Sequence, residues 1–537
     1  MDLSALYADI TGRNLIAGQE RADGPTWRAV SPESGEELPG VFHDATEAEV
    51  LEAVSAADRA FRDRWLVPAA TIAHMLRAAA DELERDADTI AALVQAETAL
   101  SEARGRGELA RTTNQLRFFA AEAEKGSFTE ATITRPDPTA PGGARVDARR
   151  MLVPLGPVAV FGASNFPLAY SVAGGDTAAA LATGCPVIFK AHPAHPALSE
   201  VVARALSRGV AAAGLPAAWF SLVHGRGADV GTWLVTAPEL TAVGFTGSLA
   251  GGRALFDLAA SRPHPIPVYA EMGALNPVFV TSRALESRPT EVAGGFVGAI
   301  TTDAGQFCVK PGLVFLPPAE RREDFVSAVV DGVRESDPGL LVSDRIHAQL
   351  TGQVSLLEGV PGVEVLSRSE EYRPGRFSFP ATVLRCSLET WRSTPELSLE
   401  YFGPVSVLVD VESDDDLVDI AAGFEGTLTA TVHGEEEGDE IAGRLLDLSA
   451  QRAGRVVWNG MPTGLAVAHA TNHTGPYPAS TNVGHTSVGS TSARRFQRPV
   501  AYQTTPDGLL PDALKNANPL GILRNIDGTL TADPITD

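Results

Sequence analysis

A chain of 537 residues is too long for one hydrophobic core, and at roughly 100–200 residues per unit it predicts two to four structural units. Its 44% hydrophobic and 20% charged residues are those of an ordinary globular enzyme and exclude extensive disorder away from the ends. The formal charge of -24, from 67 acidic against 43 scattered basic residues, argues against a nucleic-acid partner.

Residues 45 to 125 read as helical, with apolar spacing clearest in Ala45 to Trp65, Ala69 to Asp86 and Glu108 to Glu124. With the residues before them they form an N-terminal part, 1–125, laid on a neighbouring sheet. The next stretch, 126–150, is rich in Thr, Pro, Gly and charge and predicts a linker or extended arm. The uncharged run Leu152 to Gly175 is long enough to cross a bilayer. Its prolines at 154, 157 and 167, its glycines and Asn165 make it strand, turn and helix start in a buried core instead, so no membrane association is expected.

From Pro157 short apolar strands alternate with alanine-rich helices: Val158 to Phe161, Val187 to Phe189, Trp219 to Val223, Ala242 to Phe245 and Val268 to Ala270. That alternation implies a parallel sheet that binds ligands at the carboxyl ends of its strands, here a dinucleotide-binding unit over 151–274. A second series follows over 275–465: Val278 to Val280, a helix leading to Cys308, Leu313 to Leu316, Val405 to Val409, Leu428 to Val432 and Val456 to Trp458. Within it the acidic cluster 435–440 reads as a solvated first helical turn. The irregular tail, 466–510, is expected to return to the first unit and to pair with the arm or with another subunit. A C-terminal extension occupies 511–537.

Three cysteines at 185, 308 and 386, with no CxxC, make neither a disulfide framework nor a zinc site, and they fit a reducing cytoplasm. The N-terminus, MDLSALYADITGRN, has no basic-then-apolar export pattern. Cys308 lies in TTDAGQFCVKP, a loop opening out of the apolar run Val292 to Ile300. A thiol of pKa about 8.5 attacks well only as thiolate, so it needs a cation, a helix N-terminus or a base beside it; Lys310 is two residues on. The alternative is a small apolar filler.

Four further signals bear on that choice. The strand-to-helix turn Gly244 to Gly252, with Gly247, Ser248 and Gly252, suits a pyrophosphate at a helix start, though the GxGxxG fingerprint is missing. Gly225 to Gly231 is only a partial lookalike. Lys190 ends a strand where it can bond ribose or phosphate, while His192 and His195 lack the companions of a metal site. Glu271 ends a strongly apolar strand, where burial is expected to raise its pKa and suit it to general-base work. Asn165 sits on the turn after the first strand, where its amide can donate to an oxyanion.

Taken in order, Asn165, Lys190, Gly247 with Gly252, Glu271, Cys308 and Glu400 in EYFGPV resemble the NAD(P)-dependent aldehyde dehydrogenase superfamily over nearly the whole chain. The stretches around Asn165, GQFCVKPGLVF and VVWNGMPTGLAVAH are similar to its NADP-preferring branch, which holds 2,5-dioxovalerate dehydrogenases and a fatty-aldehyde dehydrogenase. The resemblance implies an α/β fold of two parallel-sheet domains plus an oligomerisation arm, hence a homodimer or homotetramer. It implies Cys308 as nucleophile, Asn165 on the oxyanion, Glu271 activating water and Glu400 on the nicotinamide ribose. NADP is the expected cofactor, with NAD weaker. A glutamate that usually follows the lysine by three positions is replaced by Pro193, and Arg226 supplies a cation for a 2′-phosphate. Arg111 and Gln115, one helical turn apart, would grip a substrate carboxylate. Two other readings remain: a catalytically retired binding homologue, and a cysteine acyl transferase or hydrolase needing no nicotinamide.

Overall fold

The structure is a computed structural model and describes residues 2–141, 145–370 and 376–536; residues 142–144 of the expected arm lie outside it. Its first sheet runs Val268–Glu271, Ala242–Thr246, Val158–Phe161, Val187–Lys190, Phe220–Val223, all parallel, and is then extended by the antiparallel strands Asn14–Ile16 and Gln19–Arg21. The last two were not foreseen, being three residues each and too short to show periodicity. The chain proceeds outward one way from Val158–Phe161 and the other way from Ala242–Thr246. The switch point therefore lies at the carboxyl ends of these two neighbouring strands, where the polar residues after them converge.

The second sheet runs Val363–Arg368, Thr382–Ser387, Val405–Asp410, Leu313–Leu316, Val278–Val280, Thr427–His433 and Ala453–Trp458, parallel except for the first, edge strand. The fold is thus α/β, with two mainly parallel sheets. A third sheet pairs the tail strand Gln497–Gln503 with Ala148–Pro154, then Thr132–Thr134, and finally Arg524–Ile526 and Thr529–Thr531 from the C-terminal extension.

Four helices, Glu47–Asp63, Ala69–Arg85, Ala87–Thr98 and Glu102–Glu124, cover the first sheet's side of the molecule. The first starts with a capping box in which Thr46 and Glu49 satisfy each other's exposed N–H groups. The last starts six residues earlier than its apolar spacing suggested, because Ser101 caps it and Gly105 lets it cross close to Val94. Strands inside both sheets are buried on both faces, which is why they read as continuous apolar runs rather than alternations. Among the described residues no helix is long and apolar enough to cross a membrane.

The acidic cluster corrects one expectation. Only Glu440 lies in the helix Glu440–Arg452; Asp439 is its N-cap, accepting from the Ala442 N–H at 3.1 Å, and Glu435 pairs with Arg288 at 3.3 Å.

Candidate active site

Cys308 is held by the geometry of its loop. Helix Pro289–Thr301 ends, Asp303 and Ala304 take left-handed backbone angles (φ 48° and 55°), and Gly305 follows at φ 63°. A Cβ at Gly305 would collide with the carbonyls of Ile300 and Gly403, so the turn requires glycine. Gln306 then anchors the loop: its amide donates to the carbonyls of Asp303 and Leu340 and accepts from the Val342 N–H. From the other side Asn276, buried and at φ 49°, donates to the carbonyls of Cys308 at 2.8 Å and Lys310 at 3.1 Å, and accepts from Thr429.

The thiol's neighbour is a residue that the sequence did not reveal. His473 places Nε2 3.5 Å from Cys308 Sγ and Nδ1 2.9 Å from Glu271 Oε2, so one imidazole bridges thiol and carboxylate. The ring is buried and fixed by its backbone. Its backbone N–H donates to Thr486 Oγ1 at 2.8 Å, and its carbonyl accepts from the Ser487 N–H at 2.9 Å. The edge of Tyr170 packs against it. The segment 467–475 has no periodicity and lies far from both partners in sequence, so no local signal marked His473.

Charges here correct two expectations. Burial by itself would raise Glu271, but its pairing with His473 and the hydroxyl of Ser487 outweigh it and hold the carboxyl below its usual range. Lys310 does not assist the thiol: its ammonium is buried and donates to the carbonyls of Pro311 and Val405. Burial and the neighbouring Glu271 push the Cys308 thiol well up, so at rest it is protonated and a base must take its proton. Cys185 and Cys386 are buried with raised pKa values and lie in core clusters.

Among the described residues the buried Glu271 Oε1 has no hydrogen-bond partner, and a cavity of about 20 Å³ lined by Glu271, His473, Ser487 and Arg495 is large enough for one water. The Cys308, His473 and Glu271 ligand atoms lie within 4.8 Å of one another, close enough to hold a metal ion, but the ring is already engaged at both nitrogens. Asn165 Nδ2 donates to the Gln306 carbonyl at 2.8 Å, which brings the amide to the Cys308 loop with its second hydrogen still available.

Other expected residues fall around this centre. Glu400 meets the backbone at Gly273, where a Cβ would strike its carboxylate, and burial lifts its pKa to about 7 against the opposing charge of Lys310. Ser248 caps helix Leu249–Ala260 by accepting from the Gly251 N–H, leaving the start of the helix open to solvent. Gly247 donates its N–H to the Glu271 carbonyl. Gly252 needs correction: its N–H serves the Ser248 carbonyl and its Cα lies beneath Met272, so it allows helix and strand to pack rather than facing a ligand. Lys190 donates to the Gly225 and Ala191 carbonyls, and burial lowers it to about 8.

Arg226 is not a free cation; its N–H bonds Asp44 Oδ1 at 3.1 Å and its guanidinium lies over Trp27. Among the described residues Arg111 forms no ion pair with an acid and its buried Nε has no hydrogen-bond partner, while its Nη2 donates to the Tyr170 hydroxyl at 3.2 Å. Gln115 is buried with its amide near the Gly175 backbone and an unpartnered Nε2.

A parallel sheet with its switch point at the strands' carboxyl ends, joined to a second α/β unit that carries a cysteine beside a histidine and a carboxylate, is an α/β enzyme architecture. The aldehyde dehydrogenase family matches residues 20–476, and the chain belongs to it: it is an NAD(P)-dependent aldehyde dehydrogenase. It is 42% identical to an alpha-ketoglutaric semialdehyde dehydrogenase 2 of Azospirillum brasilense over 522 residues, covering 97% of this chain and 99% of that one. It is 38% identical to an alpha-ketoglutaric semialdehyde dehydrogenase of Acinetobacter baylyi, covering 97% and 99%. Among solved structures, betaine aldehyde dehydrogenase from Staphylococcus aureus in complex with NAD+ superposes with a TM-score of 0.80 at 19% identity, covering 94% of this chain and 97% of that one.

Proposed function

We propose that this enzyme oxidises 2,5-dioxovalerate (alpha-ketoglutarate semialdehyde) to 2-oxoglutarate, with NADP preferred to NAD. The substrate rests on the two relatives named above. The chemistry rests on one observation, the imidazole of His473 held between Cys308 and Glu271.

The residues present fit a nicotinamide dinucleotide. Lys190 and the open helix start at Ser248 lie at the same, carboxyl edge of the sheet with strand Val158–Phe161 between their strands, and the missing Cβ of Gly273 leaves room for Glu400 to receive a ribose hydroxyl. A nicotinamide held there would supply the hydride acceptor. The chain's own residues do the rest. His473, donating Nδ1–H to the Glu271 carboxylate, has Nε2 in the acceptor tautomer and takes the Cys308 proton. The thiolate attacks the aldehyde carbon, and the free hydrogen of the Asn165 amide meets the oxyanion. After hydride loss a thioester remains on Cys308. Glu271, through Oε1, takes a proton from the attacking water, and the acid leaves as the thiol is restored. Aldehyde, water and oxidised cofactor thus give acid, reduced cofactor and one proton.

In this reading the enzyme works in the cytoplasm as a homodimer or homotetramer through its arm and tail. The test is a panel of 2,5-dioxovalerate, hexanal and benzaldehyde with each cofactor, followed by nicotinamide absorbance, with Cys308→Ala as control. The expected result is kcat/KM roughly tenfold or more higher for 2,5-dioxovalerate, and for NADP, than for the alternatives. Equal values for hexanal would remove the semialdehyde assignment, and activity in Cys308→Ala would remove the nucleophile.

A further inference from the structure

We propose that Asp44 sets how strongly the enzyme prefers NADP to NAD, its carboxylate offsetting the two cations, Lys190 and Arg226, assigned to the adenosine ribose. The inference rests on the cofactor reading above and concerns a residue outside the motifs that carry the family likeness.

Asp44 follows the strand Phe42–His43 and is stapled to the carboxyl end of the dinucleotide sheet. Its N–H donates to the Pro25 carbonyl at 2.9 Å, and the Ala45 N–H donates to the His224 carbonyl, just past strand Phe220–Val223, at 2.9 Å. Oδ1 accepts from the Arg226 N–H at 3.1 Å, and Oδ2 lies 3.8 Å from Arg226 Nε. Lys190 donates to the carbonyl of Gly225, the residue before Arg226, so the two cations share one short loop. The Asp44 charge opposes the lowering of the Lys190 pKa by burial. Nearby His224 adds no charge, since burial holds it at about 3.

A ribose 2′-hydroxyl needs an acceptor, which Pro193 does not supply and Asp44 can. A 2′-phosphate needs cations and is repelled by a carboxylate. An aspartate paired with Arg226 and felt electrostatically by Lys190 therefore serves NAD at the expense of NADP. The Arg226 side chain is 54% exposed against 18% for Asp44, so solvent screens part of the effect and a moderate change is expected.

The full-length enzyme and its variants would be compared by direct binding of NADP and of NAD in equilibrium titrations followed by tryptophan fluorescence, and by kcat/KM with each. Asp44→Asn keeps an acceptor for the Arg226 N–H and removes the charge. It should raise the NADP:NAD ratio about fivefold or more, chiefly through KM for NADP. Asp44→Glu should leave the ratio within about twofold of wild type, and in an Arg226→Ala background Asp44→Asn should move it less. Should Asp44→Asn fail to fold, Asp44→Ser, which also keeps an acceptor oxygen, is read in the same way. A ratio unchanged because both cofactors move together would overturn the proposal and make Asp44 a loop staple. A wild type that favours NAD would overturn the NADP reading, while a rise in the ratio on Asp44→Asn would still support Asp44 as the selector.

Discussion

His473 Nε2 lies 3.5 Å from Cys308 Sγ although 165 residues separate them, and this contact supplies the base that a half-buried thiol of raised pKa needs. His473→Asn should therefore slow the first turnover, the hydride step, roughly 100-fold while leaving cofactor affinity unchanged. Without the ring the reaction depends on free thiolate, whose pKa is raised, so the variant's rate should climb with pH into the alkaline range where wild type is flat. Rapid-mixing kinetics across pH would show this. An unchanged first turnover would make the ring a spacer.

Two changes at Glu271 should differ. Glu271→Gln keeps an acceptor for the His473 Nδ1–H but loses the base, so a burst of about one reduced cofactor per site should be followed by a stall at the thioester. Glu271→Ala loses both, and its burst should also be slower. Steady turnover in either variant would take Glu271 out of deacylation.

Glu400 yields a pH prediction. Burial raises its pKa to about 7, and only the carboxylate above that value accepts well from ribose hydroxyls. KM for the cofactor should therefore increase as pH falls from 8 to 6, and Glu400→Gln should flatten that dependence. Stability runs the opposite way: a raised carboxyl pKa stabilises the folded state at acid pH, and this contribution is lost as pH rises from about 4.5 through about 7. Equal cofactor KM at both pH values would place Glu400 away from the ribose.

Asn276→Ala removes the donor to the Cys308 and Lys310 carbonyls and the acceptor for Thr429, all buried. Leaving such groups unpaired costs about 1–3 kcal/mol. Calorimetry should find a lower Tm, with kcat reduced because the nucleophile's loop is no longer held. An unchanged Tm would show that the loop holds without it.

Arg111, with a buried unpartnered Nε and its guanidinium against Tyr170, is the expected carboxylate-binding group. Arg111→Ala should lower kcat/KM for 2,5-dioxovalerate about tenfold, or about 1.4 kcal/mol, and that for hexanal much less. An equal loss for both substrates would leave Arg111 a packing role beside Tyr170.

What the chain disclosed by itself was whatever repeats locally. Buried parallel strands such as Val158–Phe161 and Leu313–Leu316 are unbroken apolar runs, and a carboxylate, a lysine or an amide just after such a run marks a strand's carboxyl end. The two parallel sheets, and Asn165, Lys190 and Glu271 at or just past strand ends, were legible for that reason, whereas Cys308 was marked by its loop and Glu400 by the family resemblance. Tertiary structure alone decided the charges and partners. Glu271 sits in the apolar setting its strand suggested, yet His473 and Ser487, more than 200 residues later, hold it ionised. Arg226 carries the charge its sequence promised, but Asp44 stands beside it. Proton affinity and charge balance depend on what stands a few ångströms away through space, and neither periodicity nor a motif records which distant segments meet.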